Sequence, residues 1–117
     1  MNNGKIRLRF NGIEGNLQVK ADADVDGGIT AIYLDGDAKG LLSLAKLASQ
    51  LAKLDQRKLP SLPDHGASEH VHLEPNVDLA ASSCSLSVGR LDDKHGKFDE
   101  TVVKRKKAKV RAIIHHW

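Results

Sequence analysis

Cysteine, aromatic side chains and long apolar runs are all scarce in this sequence. Its single cysteine, Cys84, cannot form a disulfide within the chain, whereas a small secreted scaffold normally carries several. No stretch approaches the roughly 18 consecutive apolar residues of a membrane span, and the first residues lack the apolar run of a signal peptide. We therefore expect a cytoplasmic protein with no membrane partner, whose core is built from Leu, Ile, Val and Ala.

The sequence also lacks the short motifs that specify common reactions. It contains neither a Walker loop nor the G-x-G-x-x-G pattern, and no serine lies in a G-x-S-x-G elbow. Cys84 belongs to an alternating segment that places its thiol inward, which favours a buried structural cysteine over a reactive one. The D-x-D-x-D-G stretch at 22–27 is similar to the start of a calcium loop, but Tyr33 stands where the bidentate glutamate is needed. We therefore expect no enzymatic activity and no cofactor.

Charge divides the chain into two parts. Residues 1–100 hold 12 basic and 15 acidic side chains, a balance of −3, whereas residues 101–117 hold six basic side chains and no acid. The length of 117 residues predicts one domain, which we place at 1–100, followed by a basic C-terminal segment at 101–117. That segment is either a solvated terminus, an edge strand, or a weak nonspecific contact for nucleic acid or an acidic partner. The nucleic-acid contact would use Lys104, Arg105, Lys106 and Lys107.

Hydrophobic periodicity predicts an α+β fold with one helix. Alternating apolar and polar residues predict strands near 5–10, 16–21, 28–34, 69–74 and 83–90. The strand at 28–34 is apolar on both faces, as in a central strand that is covered on both sides. Asp37 is a plausible N-cap for a helix that ends at Leu54, and its leucines and alanines share one half of the cylinder. We predict an antiparallel sheet of about five strands with this amphipathic helix packed on one face.

Histidines supply the candidate binding residues. His70 and His72 are two apart and so point from the same strand face, while His65 lies on the preceding loop. Three imidazoles could hold zinc with an open position for water, and a histidine metalloprotein is therefore one interpretation. No acid or cysteine stands at a recognised metal spacing, however, so we favour contact roles without a metal. His65, His70, His72 and Glu74 are our candidate partner-binding residues.

Two motifs resemble a known protein family. The stretch Gly36-Asp37-Ala38-Lys39-Gly40-Leu41, followed by Leu44-Ala45 and Leu47, resembles a G-x-x-x-G-L helix start. Downstream, His70-Val71-His72-Leu73-Glu74-Pro75 resembles an H-x-H-L strand, and Leu86-Ser87-Val88 matches a later strand. Together these residues are similar to the immunity protein 32 family of bacterial polymorphic toxin systems. The resemblance covers roughly 28–90, and the basic segment at 101–117 departs from the compact family pattern.

The resemblance implies a protein that acts by binding rather than by catalysis. Members of such a family bind and neutralise a cognate toxin, so the expected partner is a bacterial toxin domain. The acidic balance of residues 1–100 suits a basic toxin such as a nuclease. Two alternatives stay open from the sequence: a small nucleic-acid-associated protein that uses residues 101–117, and the histidine metalloprotein.

Overall fold

In the part of the chain that the structure describes, one α-helix packs against two β-hairpins. The structure is a computed structural model that describes residues 8–63, 68–98 and 101–102. Its elements, in chain order, are strands β1 (Leu17–Ala23) and β2 (Ile29–Gly36), helix α1 (Ala38–Lys53), a short 3₁₀ turn (Gln56–Lys58), and strands β3 (His70–Leu73) and β4 (Leu86–Gly89). The predicted α+β class and the single amphipathic helix with antiparallel strands are confirmed.

The predicted five-stranded sheet is wrong. β1 pairs with β2 and β3 pairs with β4, both antiparallel, and these two sheets of two strands are separate within the described ranges. A turn over 74–79 is the physical reason, because the Asn76 amide bonds the Leu79 carbonyl at 2.9 Å and Asn76 takes a positive φ of 66°. The chain therefore curls after β3 instead of continuing as a strand beside β1. Residues 8–10 are not in a strand, and the rest of the predicted strand at 5–10 lies outside the described residues.

An irregular segment at 80–84 joins the two hairpins through the outer edge of β1. The Ala80 amide donates to the Leu17 carbonyl at 2.8 Å, and the Cys84 amide donates to the Val19 carbonyl at 2.9 Å. The Ser83 hydroxyl in turn accepts the Val19 amide at 3.0 Å. The outward-facing backbone groups of Leu17 and Val19 are thus satisfied by a loop rather than by another strand.

The core lies where α1 crosses the two hairpins. Leu47 and Leu51 of the helix are buried, because they share the face that turns toward the strands. Their partners are apolar residues from β1, β3 and the turn that follows β3: Leu17, Val19, Leu73 and Leu79. Burial of each leucine contributes roughly 1.5–3 kcal/mol, so this cluster dominates the stability of the described part of the fold.

The start of α1 is fixed by close packing against the start of β1. The Asp37 carboxylate accepts the Gly40 amide at 2.7 Å, which confirms Asp37 as the N-cap. Gly40 is buried against the Asn16 backbone: a Cβ at position 40 would lie 2.1 Å from the Asn16 carbonyl oxygen. A Cβ at Gly36 would lie 2.6 Å from a methyl carbon of Leu17. The two glycines of the G-x-x-x-G motif therefore let strand and helix approach closely.

The end of α1 is fixed by Arg90, which directly follows β4. Its guanidinium donates to the carbonyls of Leu51 and Leu54 at 3.0 and 2.8 Å, at the end of the helix. The Leu51 carbonyl also accepts the Leu54 amide at 3.3 Å. The Arg90 guanidinium forms a bidentate ion pair with Asp92 at 2.8 and 2.7 Å. These hydrogen bonds from Arg90 hold the pKa of Asp92 below its usual range. Arg90 thus ties the second hairpin to the end of the helix.

Gln56 fills a buried polar position next to Arg90. Its side-chain amide donates to the Asp92 and Asp93 carbonyls at 2.7 and 3.2 Å, and its oxygen accepts the Glu69 amide at 2.9 Å. Each of these groups is thereby satisfied away from water. Gln56 of the 3₁₀ turn therefore joins the residue before β3 to the residues after β4.

The expectation that Cys84 is buried is wrong. Its thiol is exposed, because β4 begins only at Leu86 and residues 83–85 belong to the irregular segment along β1. Apolar and polar residues alternate over 83–88 in the sequence, but only the second half of this stretch forms a strand. Within the described ranges, the structure has no helix that is both long and apolar enough to cross a membrane.

Candidate protein-binding surfaces

The outer face of the second hairpin gathers three of the four residues that the sequence selects. His70, His72 and Glu74 are all exposed, and the rings of His70 and His72 meet edge to face with centroids 4.7 Å apart. Glu74 accepts a hydrogen bond from the Ser85 hydroxyl. Small residues lie opposite the histidines, since His70 pairs with Gly89 and His72 with Ser87. The fourth residue, His65, lies outside the described residues.

This histidine face can make polar contacts with a partner. One ring nitrogen of His70 lies 3.0 Å from the Ser68 carbonyl oxygen and is therefore engaged locally, while the His72 ring contacts His70 and is otherwise open to solvent. Among the residues that the structure describes, no group of three His, Cys, Asp or Glu side chains is placed to hold a metal ion. The face offers hydrogen-bond donors and acceptors but little apolar area to bury.

A second surface is apolar and lies on β2. Ile29 and Ile32 are each 65 % exposed, and Tyr33 and Leu34 are exposed by 47 % and 42 %. The prediction that this strand is covered on both faces is wrong. Leu34 pairs with the buried Val19 and shares its face, whereas Tyr33 points to the opposite face. Apolar side chains are therefore open to solvent on both sides of one strand.

The neighbouring flank of α1 extends this apolar area. Leu41 is 47 % exposed, and its Cγ lies 3.2 Å from the position that a Cβ on Gly36 would take. Ala45 and Ala48 follow on the same flank and are also exposed. We call Ile29, Ile32, Tyr33, Leu34 and Leu41 the β2 surface. Contiguous apolar area of this kind is typical of a protein-interaction site.

Aspartates surround the β2 surface. The first hairpin and the helix cap, residues 16–37, carry one lysine and five aspartates, a balance of 1 − 5 = −4: Lys20, Asp22, Asp24, Asp26, Asp35 and Asp37. A hydrogen bond to Asp22 raises the pKa of Tyr33, so this phenol stays protonated at neutral pH and donates to the carboxylate. The hairpin thus presents apolar side chains within a negative field.

Asp37 serves the fold through its hydrogen bonds, which lower the pKa of its carboxyl group. Hydrogen bonds from the backbone and side chain of Asn16, at 3.0 and 2.7 Å, lower its pKa to about 2, and the Gly40 amide contributes further. Asp24 has a similar local role, because one of its oxygens accepts the amides of Asp26 and Gly28 at 3.0 and 2.8 Å. The stretch at 22–27 is therefore closed on itself as a hairpin turn.

Positive charge lies on the other flank of α1. A groove of about 450 Å³ is bordered by Arg9, Lys39 and Lys46, with Leu42 at its side. Two hydrogen bonds, from the Arg9 amide to Gln50 at 3.3 Å and from the Glu14 amide to Ser43 at 3.1 Å, fix the preceding chain against this flank. The two sides of the helix therefore carry opposite charge.

Sequence reasoning selected the histidine face and missed the β2 surface. The signal was present, because 29–34 is the richest β-forming stretch of the chain and is apolar on both faces. Such a pattern predicts complete burial within the chain. The pattern alone does not distinguish a strand covered by its own chain from one that is left for a partner.

Comparison with protein families identifies a match. A model of the family described as Immunity protein 32 matches residues 31–91, which is more than half of the chain. The matched range begins within β2 and includes α1, β3 and β4. No curated protein and no solved structure shows significant similarity to the chain.

Proposed function

Because this chain belongs to the immunity protein 32 family, we propose that it binds a cognate bacterial toxin domain and neutralises it by direct, non-enzymatic inhibition. The family match over residues 31–91 carries this proposal. The helix start and the histidine strand, the two motifs that suggest the family in the sequence, both lie inside the matched range.

The exposed apolar area supports a binding role. Burial of Ile32 and Leu34 against a partner would stabilise the complex, because removing apolar surface from water contributes roughly 25 cal/mol for each Å². Aspartates around that area would speed encounter with a positively charged toxin and disfavour other partners. The histidine face, with His70, His72 and Glu74, stays a predicted contact for the same partner. The proposed toxin is accordingly a basic protein, and a nuclease fits that charge.

Co-expression tests the proposed function. The probes are candidate C-terminal toxin domains of bacterial polymorphic toxin systems, each expressed in a bacterial host with and without this chain. We expect growth to be restored only when both are present, and a stable complex to be recovered when an inactivated toxin domain is purified. Survival without a complex would contradict direct inhibition, since it would require removal or repair of the toxin's damage.

Specificity provides the control for this experiment. The same chain co-expressed with a toxin domain from an unrelated gene pair should give neither survival nor a complex. Protection against both toxins would indicate a general stress effect rather than recognition of one partner. Failure to protect against either toxin would overturn the proposed function.

A further inference from the structure

We propose that the toxin docks on the β2 surface by adding an extended, positively charged segment to the free edge of β2. This inference rests on the proposed function and names the site and the kind of contact that carry it. The structure offers three independent observations for it: an unpaired strand edge, apolar side chains on both faces of that strand, and acidic surroundings.

The two edges of the first hairpin are treated differently by the fold. The outer edge of β1 is covered at its first residues by the segment at 80–84, through the bonds of Ala80 and Cys84 to Leu17 and Val19. Within residues 8–63, 68–98 and 101–102, β2 pairs with β1 alone. Its other edge therefore presents backbone donors and acceptors, which are ready to pair with an added strand.

The free edge of β2 has little of the usual protection against such pairing, since its single charged side chain is Asp35 and its bulge is at Thr30, near the distal end. Edge strands are commonly protected by lysine, by proline or by a bulge that twists the edge away. Residues 29–36 contain neither lysine nor proline, and the irregularity in the ladder lies at the distal end, beside Ala23. The eight residues of β2 extend over roughly 26 Å at about 3.3 Å each, which is long enough to pair with a strand of ordinary length.

The exposed side chains favour strand addition over contact with one face alone. Ile32 and Leu34 lie on the face toward the helix, and Tyr33 lies on the other. An added strand would place its own side chains on both faces, next to those of β2. A partner that packed flat against one face would leave the apolar residues of the other face in water.

The negative charge of the first hairpin indicates which kind of segment binds to this edge. The hairpin and helix cap carry five aspartates and one lysine, so a segment rich in lysine or arginine is attracted to this edge. A second copy of this chain fits poorly, because pairing two β2 edges would bring two sets of these aspartates together. A basic segment of the toxin satisfies both the apolar and the electrostatic requirement.

Matched variants of the full chain test the site. The probe is an inactivated form of the candidate toxin domain against which this chain protects the host, and its affinity is measured by calorimetry. We expect the double variant Ile32→Ser/Leu34→Ser to weaken binding by about tenfold or more. Leu42→Ser removes an exposed leucine from the opposite flank of α1, where the residue is 68 % exposed, and should leave the affinity within about threefold. Thermal unfolding of each variant confirms that the fold is retained.

Charge and backbone pairing are measured separately. Asp26→Asn/Asp35→Asn should slow association and reduce its dependence on salt, since both carboxylates flank the edge. Hydrogen exchange should show new protection of alternate amides of β2 in the complex, which a contact through side chains alone would not give.

The outcomes separate this inference from the proposed function. Binding that is unchanged in the Ile32→Ser/Leu34→Ser variant, or complex formation without new protection in β2, would overturn strand addition while leaving immunity intact. Loss of binding in His70→Ala/His72→Ala together with unchanged binding in the β2 variant would place the toxin on the histidine face. Absence of binding by the unaltered chain would overturn both proposals.

Discussion

Asn16 and Asp37 are joined by three hydrogen bonds that run in both directions. The Asp37 carboxylate accepts the backbone and side-chain N–H groups of Asn16 at 3.0 and 2.7 Å, and the Asp37 amide donates to the Asn16 carbonyl at 3.1 Å. The residue that precedes β1 and the cap of α1 are thus one unit, although 21 positions separate them. The helix is oriented on the hairpin by this junction as well as by its leucines.

Removal of the cap should weaken this junction. We expect Asp37→Ala to lower Tm by about 5 °C, because the Gly40 amide and both Asn16 groups lose their acceptor. Asp37→Asn keeps a side-chain oxygen and should retain a large part of the lost stability. Differential scanning calorimetry of the two variants makes the comparison, and equal Tm values for Asp37→Ala and the unaltered chain would contradict the role of the cap.

The effect of Gly40→Ala on stability shows whether close packing or helix propensity dominates at this position. Propensity alone favours alanine by about 1 kcal/mol in a helix interior. We expect the opposite sign, a loss of about 2 kcal/mol or more, because the new Cβ would lie 2.1 Å from the Asn16 carbonyl oxygen and the backbone must move. Urea unfolding measures the change. Ala45→Gly on the exposed flank is the matched control and should follow propensity, with a loss of about 1 kcal/mol.

Two arginines with similar neighbours should differ in their contribution to stability. Arg90 and Arg57 each pair with an aspartate two residues away, but Arg90 also donates to the carbonyls at the end of α1, and its side chain is only 21 % exposed against 73 % for Arg57. We expect Arg90→Ala to lower the free energy of unfolding by about 2–3 kcal/mol. Arg57→Ala should have little effect, because exposed ion pairs are screened by water. Equal losses in urea unfolding would contradict the role assigned to Arg90.

Acid should destabilise the fold below about pH 4. The folded-state pKa of Asp37 is about 2, against an ordinary value of 3.8, and hydrogen bonds from Arg57 and Arg90 lower the pKa of Asp55 and Asp92 in the same direction. The unfolded chain therefore binds protons more readily than the folded chain, so this stability is complete above the ordinary pKa and is lost as pH falls toward 2. Urea unfolding at pH 7, 4 and 3 tests this, and Asp37→Asn should flatten the decline.

Zinc should be absent from the histidine face. Two exposed imidazoles on one strand supply fewer ligands than the three or four that protein zinc sites use. We expect well under one zinc per chain by elemental analysis of protein purified without an affinity tag. Stoichiometric zinc that is lost on His70→Ala would contradict this prediction and would favour the metalloprotein alternative.

The local elements of this fold could be predicted from the sequence, but their assembly could not. Helix α1 follows from the 3.6-residue period of its leucines and from Asp37, and it is one residue shorter at each end than predicted, because Asp37 and Leu54 are its caps. The split into two sheets depends on the turn at 74–79 and on hydrogen bonds between β1 and 80–84, which join positions that no local pattern relates. The exposure of β2 was missed because strand periodicity reports which side chains share a face, and not what covers that face.

The hydrogen bond from the Val19 amide to the Ser83 hydroxyl spans 64 positions of the chain, and this separation bears on how the protein folds. Each hairpin closes over a short stretch and can form early, as can the helix between them. The contact between β1 and 80–84 requires closure of a much longer loop, whose entropy is lost before the contact is made. Docking of the two hairpins is therefore the natural late step in folding, and until it is complete the first hairpin has two open edges instead of one.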